Sequence, residues 1–347
     1  MQKIFLTVLW SILLLSGGTF AAAKETDEFI YRGMVSAMKE DFSSAYLEFR
    51  QAYNLNRFDP EADLYLQIIE DVKQGLLPAG TAVMIFKGVD YLHKEYWNPA
   101  LEELNAAIQA NPEYTKAYLI RCNIFLSERD YKSAIADGEK MVAMDSSFAP
   151  GYNCRGRVNF ETGMYEQAVR DFSTAIELDD NYSEAYDNRG NARIKLGVFD
   201  SALSDFNEAL RIDRSYVQAY NDRGNVFLHL KQYAKAIADY SRAIELDAEC
   251  AKAYNNRGVV YRRQEKYLEA LNDFNMALKI DQDFTAAYFN KGLVFDKLFR
   301  GREAAAAYSD FLGRAGKDGE QEQNIVYARQ RLVFWRGQET GKDIVSK

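Results

Sequence analysis

Residues 183–216 read SEAYDNRGNARIKLGVFDSALSDFNEALRIDRSY, and residues 217–250 read VQAYNDRGNVFLHLKQYAKAIADYSRAIELDAEC. Both stretches are 34 residues long and share most of their aromatic, small and charged positions. Seven small residues extend the same spacing along the chain, each 34 positions after the last: Gly88, Cys122, Gly156, Gly190, Gly224, Gly258 and Gly292. A period of this length is typical of stacked helix pairs, so the sequence predicts an all-α array and directs the search for function toward binding surfaces.

Eight repeats can be aligned, and they occupy residues 26–59, 81–114, 115–148, 149–182, 183–216, 217–250, 251–284 and 285–318. Numbered from 1 to 34 within a repeat, position 20 is alanine in all eight, position 27 is alanine in six, and position 4 is aromatic in seven. These spacings place positions 4, 8 and 11 on one face of a first helix, and positions 20, 24 and 27 on one face of a second. Small residues let the two helices approach closely, and aromatic rings at position 24 fill the space between them.

Two stretches interrupt or end the array. Residues 60–80 are an insertion with one predicted helix, whose apolar stripe is Leu64, Ile68, Ile69 and Val72. Residues 319–337 are predicted to form a helix that covers the apolar face of the last repeat, as the ends of such arrays require. Residues 338–347 are predicted to be a loose tail.

The repeat pattern resembles the tetratricopeptide repeat, which has aromatic residues at positions 4, 11 and 24, Gly at 8, Ala at 20 and 27, and Pro at 32. The resemblance covers residues 26–318. It implies a right-handed superhelical solenoid of about eight helix hairpins with a C-terminal capping helix, in which positions 2, 5, 6, 9, 12 and 13 line a concave groove. This chain departs from the pattern at position 32, which is proline only at Pro112. We therefore expect polar residues near the helix ends to set the repeat boundaries: Asp179, Asp213, Asp247 and Asp281.

Charged residues recur as regularly as the apolar ones. Position 7 is basic in all eight repeats, and position 23 is acidic in the first seven. Since the two positions should face each other in an antiparallel hairpin, we predict a structural ion pair within each of those seven repeats. The pairs in the central repeats are Arg121–Asp137, Arg155–Asp171, Arg189–Asp205, Arg223–Asp239 and Arg257–Asp273.

The groove positions implied by the resemblance change along the chain. The N-terminal end is apolar, with Ile85, Val89, Leu92, Leu119 and Leu126. Further along, amides and two basic residues form the candidate partner-binding set: Asn153, Asn188, Asn191, Asn221, Asn225, Asn255, Asn256, Arg262 and Arg263. An amide carries both donors and an acceptor, so a row of asparagines can bind the backbone of an extended peptide. A second interpretation stays open, in which the asparagines satisfy neighbouring helices or lie in water.

A carboxylate clamp, known from tetratricopeptide domains that bind chaperones, requires a basic residue at position 5 of one repeat and basic residues at positions 2 and 6 of the second repeat after it. The best-matching stretch of this chain has Asn225 and Asn256 in the clamp's amide positions. Its three basic positions hold Asn221, Ala286 and Asn290 instead. The resemblance therefore does not extend to that clamp.

The first 23 residues have the layout of a secretory signal peptide. Lys3 precedes the apolar run from Ile4 to Leu15, and three alanines precede Lys24, where cleavage is expected. We therefore expect a periplasmic or otherwise exported protein, attached to a membrane only if this segment stays uncleaved. The formal net charge is −8, and loss of Lys3 makes it one unit more negative. An acidic chain is not expected to bind nucleic acid.

Three cysteines are present: Cys122, Cys154 and Cys250. An odd number in an exported protein leaves at least one free thiol or an intermolecular bridge. Cys122 and Cys154 lie in neighbouring repeats but two helical positions out of phase, so we expect their Cα atoms to be too far apart for a disulfide. Cys122 replaces a repeat glycine and is expected to be a small packed residue.

Catalytic chemistry is not indicated. The two histidines, His93 and His229, lie in widely separated repeats, and each is interpreted as a solvated helix residue. No phosphate-binding loop, nucleophile elbow or paired Cys-x-x-Cys site is present in the sequence. We therefore expect no catalytic residues, no metal and no cofactor.

Three functional hypotheses remain from the sequence. The leading one is an exported scaffold that holds an extended or helical segment of another protein in its groove. The second is an envelope protein that binds a small molecule or serves transport, which a closed pocket between residues 60–80 and the first repeats would favour. The third is a solenoid that assembles with further copies of itself.

Overall fold

A computed structural model describes residues 19–315 and 322–345, and within these ranges the chain forms eighteen α-helices and no strand. The predicted all-α architecture of consecutive helix hairpins is confirmed. The chain divides into two compact bodies, an N-terminal body ending at Arg214 and a C-terminal body beginning at Ser215. The predicted signal peptide lies largely outside the described residues.

The N-terminal body contains α1 (Thr19–Met38), α2 (Phe42–Leu55), α3 (Pro60–Lys73), α4 (Ala79–His93), α5 (Trp97–Ala110), α6 (Thr115–Ser127), α7 (Tyr131–Met144), α8 (Ala149–Glu161), α9 (Tyr165–Leu178), α10 (Ser183–Lys195) and α11 (Phe199–Ile212). The C-terminal body contains α12 (Val217–His229), α13 (Tyr233–Leu246), α14 (Ala251–Arg263), α15 (Tyr267–Ile280), α16 (Thr285–Lys297), α17 (Gly301–Arg314) and α18 (Glu322–Val345). In six of the eight repeats the two helices occupy positions 1–13 and 17–30.

In six of the eight hairpins a glycine at position 8 faces an aromatic ring at position 24. A methyl group added at Gly156, Gly190, Gly224, Gly258 or Gly292 would lie 2.5–2.9 Å from a ring carbon at position 24 of the same repeat. Real side chains do not approach so closely, so position 8 has no room for a side chain where position 24 is aromatic. The rings themselves are almost completely buried.

Repeat 115–148 exchanges these two sizes. Its position 8 is Cys122 and its position 24 is Gly138, so the larger residue lies on the first helix instead of the second. A methyl group at Gly138 would lie 3.1 Å from the Cβ atom of Arg155, which shows how closely α8 approaches this point of α7. The glycine therefore permits the close contact between this repeat and the next.

The turn between the two helices has one geometry in every repeat. The residue at position 15 has a positive φ angle, and the N–H at position 16 bonds to the carbonyl at position 11. This is a Schellman-type helix end, which favours glycine. Only Gly163 and Gly197 meet that preference, and the other six repeats place a residue with a side chain there.

All four aspartates predicted at repeat boundaries follow second helices, and three of them, Asp179, Asp247 and Asp281, form a common turn that Asp145 shares. Asp145, Asp179, Asp247 and Asp281 lie just after second helices, and each accepts a bond from the backbone N–H two residues later. Such Asx turns redirect the chain without a proline.

The insertion and the end of the chain differ in detail from the prediction. Helix α3 occupies the insertion, and Tyr65 and Leu66 are buried there beside the predicted Ile68 and Ile69, while Leu64 and Val72 are half-buried. The Tyr65 ring packs 5.6 Å from Phe49 and 5.8 Å from Phe86, joining α3 to α2 and α4. Helix α18 packs on α17 and α16 as a cap and continues to Val345, through residues predicted as a loose tail.

The predicted separation of Cys122 and Cys154 is wrong. The two residues form a disulfide between α6 and α8, with their Cα atoms 6.8 Å apart. The first helices of neighbouring repeats pack side by side, and both cysteines are buried at that contact. Cys122 and Cys154 stand two positions apart within their repeats, at positions 8 and 6. The first helices are nevertheless close enough that the Cα–Cα distance reaches the upper limit of the range for disulfides.

Candidate functional site

The five central ion pairs are present in the structure. The Arg–Asp oxygen–nitrogen distances are 2.6 Å for Arg121–Asp137 and Arg155–Asp171, 2.7 Å for Arg223–Asp239, and 2.8 Å for Arg189–Asp205 and Arg257–Asp273. Each aspartate is buried and each arginine is partly exposed. Both nitrogens of the guanidinium fork contribute, so the pairs are bidentate and fix the register of each hairpin.

The first and second repeats differ from each other in this respect. Arg32 pairs with Glu48 at 2.5 Å, but Lys87 and Glu103 form no ion pair within the described residues. The predicted pair in repeat 81–114 is therefore wrong. A lysine lacks the planar fork that suits a carboxylate, and Lys87 remains exposed.

The arginines also join neighbouring repeats, a contact that the sequence reasoning missed. The third guanidinium nitrogen, Nη1, donates to the residue at position 25 of the preceding repeat. These bonds are Arg121–Asn105, Arg189–Ser173 and Arg257–Ser241. The sequence does indicate this contact, because position 25 of those preceding repeats holds residues with a side-chain oxygen: Asn105, Ser173 and Ser241. One arginine therefore holds together its own hairpin and the second helix before it.

Positions 2, 5, 6, 9, 12 and 13 of the first helices are called the first-helix surface below. In the C-terminal body its amides bond to one another across helices. Asn290 Nδ2 donates to Asn255 Oδ1 at 2.9 Å, Asn255 donates to Asn256, and Asn256 donates to Asn221 and Asn225 at 3.0 and 3.1 Å. The Tyr240 hydroxyl donates to Asn225 Oδ1 at 2.8 Å. We call this connected set the amide network.

The N-terminal body contains one step of the same pattern. Asn188 donates to Asn153 Oδ1 at 3.0 Å, and Asn153 donates to the Tyr182 hydroxyl and to Glu184. Asn191 bonds to Asp187 on its own helix. Position 6 of one repeat thus bonds to position 5 of the repeat before it in both bodies.

Burial divides the predicted asparagines into two groups. Asn153, Asn221 and Asn255, all at position 5, are buried, so they hold adjacent first helices together and do not form an open surface. The half-buried group consists of Asn188, Asn191, Asn225 and Asn256. Asn290 belongs with them and was left out of the predicted set, although it stands at the same position 6 as Asn188 and Asn256.

The predicted apolar end of the groove is largely closed. Ile85 and Val89 are completely buried in a core cluster that includes Tyr65 and Ile69 of α3. The inserted helix adds apolar side chains to this region, so these positions belong to the interior. The space in which the small-molecule hypothesis placed its pocket is accordingly packed with aromatic rings.

The two predicted basic residues differ in their surroundings. Arg263 is exposed, whereas Arg262 is half-buried and its Nε atom is buried without a hydrogen-bond partner. Burial lowers the pKa of Arg262, and the adjacent positive charge of Arg263 lowers it further.

Comparison with known families decides the classification. A family model described as TPR repeat matches residues 156–197, 190–231 and 224–265, and one described as Tetratricopeptide repeat matches residues 251–284. Residues 156–284 therefore match the tetratricopeptide repeat family. A comparison with curated proteins found no match.

Solved tetratricopeptide structures share the fold. A tetratricopeptide repeat protein from Parabacteroides merdae aligns with 74% of this chain and 99% of its own, at 18% identity and a TM-score of 0.56. Yeast Tom70 aligns with 90% of this chain and 65% of its own, at 22% identity and a TM-score of 0.54. One chain of the APC/C hetero-tetramer Cut9-Hcn1 aligns with 85% of this chain, and the alignment covers 52% of that chain, at 16% identity and a TM-score of 0.63. At these identities the likeness concerns the fold alone.

The last helix hairpin, at residues 285–314, carries a charged residue whose role was not predicted. Asp296, at position 12 of α16, accepts bonds from the Tyr308 hydroxyl at 2.7 Å and from Arg331 at 2.9 and 3.0 Å, and it also accepts from Trp335 Nε1. This carboxylate therefore joins the cap helix α18 to the repeat array. Because Asp296 stands at position 12, the repeat pattern predicted an exposed groove residue and did not indicate a contact with α18.

Other parts of the described chain offer fewer groups that could act in binding or catalysis. His93 is not simply solvated, since its Nε2 atom lies 3.2 Å from Glu61 of α3. A shallow recess of about 390 Å³ lies between α7, α8 and α9, and its charged lining includes the ion pair Arg155–Asp171. Within the described ranges, no three His, Cys, Asp or Glu side chains converge as metal ligands would, and no helix is both long and apolar enough to cross a membrane.

Proposed function

We propose that this chain is an exported tetratricopeptide scaffold that binds an extended or helical segment of another protein along its first-helix surface. The observation that carries the proposal is the amide network. It fixes the side chains of consecutive first helices in place before any partner arrives, so less side-chain entropy is lost on binding.

Two asparagines at position 6, one in each body, retain hydrogen-bonding capacity: Asn290 at the end of the amide network and Asn188 in the N-terminal body. An asparagine amide has two N–H donors and an oxygen with two lone pairs. Asn188 and Asn290 each use one donor, to Asn153 and Asn255, and neither Oδ1 atom accepts a bond from the described residues. A polypeptide backbone offers the complementary N–H and C=O groups, which makes a peptide segment a fitting ligand.

The apolar part of the same surface supports the proposal. In the C-terminal body Val259, Phe289 and Leu293 are half-buried on the first helices, beside Asn256 and Asn290. A mixed surface of amides and partly exposed apolar groups matches a peptide with both backbone and side-chain contacts.

Photo-crosslinking tests where a partner binds. A photoreactive phenylalanine replaces Leu293 on the first-helix surface, and a control variant carries it at Leu268, which is 72% exposed on the second helix α15. We expect a specific crosslinked protein from position 293 and none from position 268. Crosslinking of the same protein at equal yield from both positions, or none from position 293, would contradict the proposal.

Alanine variants separate binding from structure. Asn290→Ala should weaken capture roughly fivefold to tenfold, since it removes about one hydrogen bond to the partner. Its melting temperature should fall less than that of Asn255→Ala, because Asn255 loses only the donor to its Oδ1 atom. Asn255→Ala should lower stability, because Asn255 is buried and bonds to both Asn256 and Asn290. Asn54→Ala, at an exposed position of α2, is the control. Light scattering distinguishes a bound partner from a second copy of the chain.

Export is part of the proposal and has its own support. The apolar N-terminal run followed by three alanines suits a cleavable signal peptide. The Cys122–Cys154 disulfide suits an oxidising compartment, because disulfides seldom persist in the cytosol. Mass spectrometry of the protein from a periplasmic fraction should give an N-terminus at Lys24, and an intact Met1 in soluble cytosolic protein would contradict export.

A further inference from the structure

Arg262 differs from the other arginines of intermediate burial. Each of the others donates to a side-chain oxygen: Arg121, Arg155, Arg157, Arg189, Arg193, Arg223, Arg257 and Arg331. Among the described residues Arg262 has no acid within ion-pair distance, and its buried Nε atom donates to nothing. A partly buried cation without an anion is unfavourable, so its presence requires an explanation.

The acid at the corresponding position of the next repeat is already engaged. Arg262 and Asp296 both stand at position 12, in adjacent repeats whose first helices α14 and α16 pack together. Both carboxylate oxygens of Asp296 accept bonds from α17 and α18, through Tyr308, Arg331 and Trp335. The cap helix therefore engages the carboxylate that stands at position 12 of the last repeat, and Arg262 has no acid within ion-pair distance among the described residues.

The surroundings of Arg262 favour an incoming anion. The electrostatic neighbours of its guanidinium are Arg263 and the tyrosines Tyr267, Tyr308 and Tyr327. Position 12 lies two helical turns from position 5 on the same stripe, so Arg262 is in line with Asn255 of the amide network. Burial and the charge of Arg263 both lower the pKa of Arg262. A bound anion would favour the charged guanidinium and so oppose both effects.

We propose that Arg262, with Arg263 beside it, anchors a carboxylate of the partner segment, supplied by an acidic side chain or by the C-terminus of the partner. The planar guanidinium fork matches a carboxylate in two parallel hydrogen bonds. The site lies at positions 12 and 13 and so differs from the carboxylate clamp at positions 2, 5, 6 and 9. The inference rests on the proposed function, since it names the chemistry of the segment that binds there.

The direct test observes the Nε–Hε group by NMR. The signal of Arg262 is the one missing from the spectrum of Arg262→Gln. Three twelve-residue peptides are titrated at constant ionic strength: one with three glutamates and an amidated end, a neutral one with a free C-terminus, and a neutral amidated one. We expect the signal to shift with at least one of the two carboxylate peptides and not with the third. Which one shifts it identifies the source of the carboxylate.

Two controls keep the result interpretable. Arg50→Gln removes the same charge from an exposed site on α2 and should leave the titration unchanged. Arg262→Gln should keep or raise the melting temperature while weakening peptide binding about tenfold, as expected when charged hydrogen bonds to a ligand are lost. Equal loss of melting temperature and binding would show a structural role and overturn the inference. So would a signal that neither carboxylate peptide moves, or one that the neutral amidated peptide moves equally.

The partner crosslink distinguishes the two proposals. The Arg262→Gln change is made in the chain that carries the photoreactive phenylalanine at position 293. If its crosslinking yield equals that of the same chain with Arg262 intact, the carboxylate anchor is wrong and the scaffold function stands. If the position-293 chain with Arg262 intact gives no crosslink, the scaffold function fails whatever the peptide titrations show.

Discussion

At the scale of single residues, paired choices at fixed positions determine the fold. Position 7 carries a basic residue and position 23 an acid, and position 8 carries glycine where position 24 is aromatic. Repeat 115–148 shows that size can be exchanged between partners, with Cys122 opposite Gly138. Each position is therefore understood together with the residue that it faces.

The number of partners around each buried aspartate predicts how much an arginine contributes. Asp205 accepts from Arg189 and Arg193, whereas Asp273 accepts only from Arg257 among the described residues. Arg257→Leu should therefore lower the free energy of unfolding by about 2–3 kcal/mol, and Arg189→Leu by about 1 kcal/mol. Urea unfolding of the two variants measures the difference.

A double variant shows the origin of that loss. Replacing Asp273 with Leu in the Arg257→Leu chain removes the stranded carboxylate and should restore part of the stability. If the double variant is less stable than Arg257→Leu, the ion pair itself contributes more than the unpaired acid costs.

At the scale of helices, the inserted helix and the cap helix are held by polar contacts as well as packing. Asp71 of α3 accepts from the Tyr114 hydroxyl and from Lys116, each at 2.7 Å, which joins the insertion to the start of α6. Asp296 does the same for α18. Neither carboxylate belongs to the repeated ion-pair positions, so the period in the sequence did not reveal them.

The contact between α3 and α4 should depend on pH. The hydrogen bond to Glu61 raises the pKa of His93 above its ordinary value, helped by the charges of Glu61, Asp90 and Asp27 and opposed by burial. A raised folded-state pKa means that the stabilisation is fully present below about pH 6.5 and is lost as the pH rises through the folded-state value. The side chains of His93 and Glu61 are 35% and 46% exposed, so the change should stay below about 1 kcal/mol.

Thermal unfolding at pH 6 and pH 8 tests this dependence. His93→Gln should make the stability difference between the two pH values smaller. An unchanged difference would assign the pH dependence to other groups.

The cap helix should loosen when Asp296 is replaced. Asp296→Ala removes the acceptor for Tyr308, Arg331 and Trp335 and leaves those buried or half-buried donors without it. We expect faster amide hydrogen exchange across residues 325–335, with exchange in α14 less affected. Arg329→Ala, on the exposed side of α18, is the control and should leave exchange unchanged.

At the scale of the whole molecule, the two bodies differ in covalent structure. The Cys122–Cys154 disulfide lies in the N-terminal body, and the C-terminal body holds Cys250 as a free thiol that is half-buried. Burial raises the pKa of Cys250, which slows its reaction with thiol reagents in the folded protein.

Reduction should destabilise the N-terminal body selectively. Closing a loop of this length contributes about 3–4 kcal/mol by chain entropy, so Cys122→Ser with Cys154→Ser should lower the unfolding midpoint of residues 24–214. Hydrogen exchange resolved by peptide locates the effect. Thiol labelling of the unfolded, unreduced chain should find one reactive cysteine, and three would show that the disulfide is absent.

The sequence by itself determined the repeated hairpins, because a 34-residue period of small, aromatic and charged residues suits one packing arrangement. The positions of the ion pairs followed from the same period. Tertiary structure alone decided which groove residues are open: Asn255 and Ile85 occupy predicted surface positions, yet the neighbouring first helix buries one and the inserted helix region buries the other. It also decided that Cys122 reaches Cys154 and that Arg262 has no acid within ion-pair distance among the described residues. Both outcomes depend on distances between helices, which a pattern within one helix does not contain.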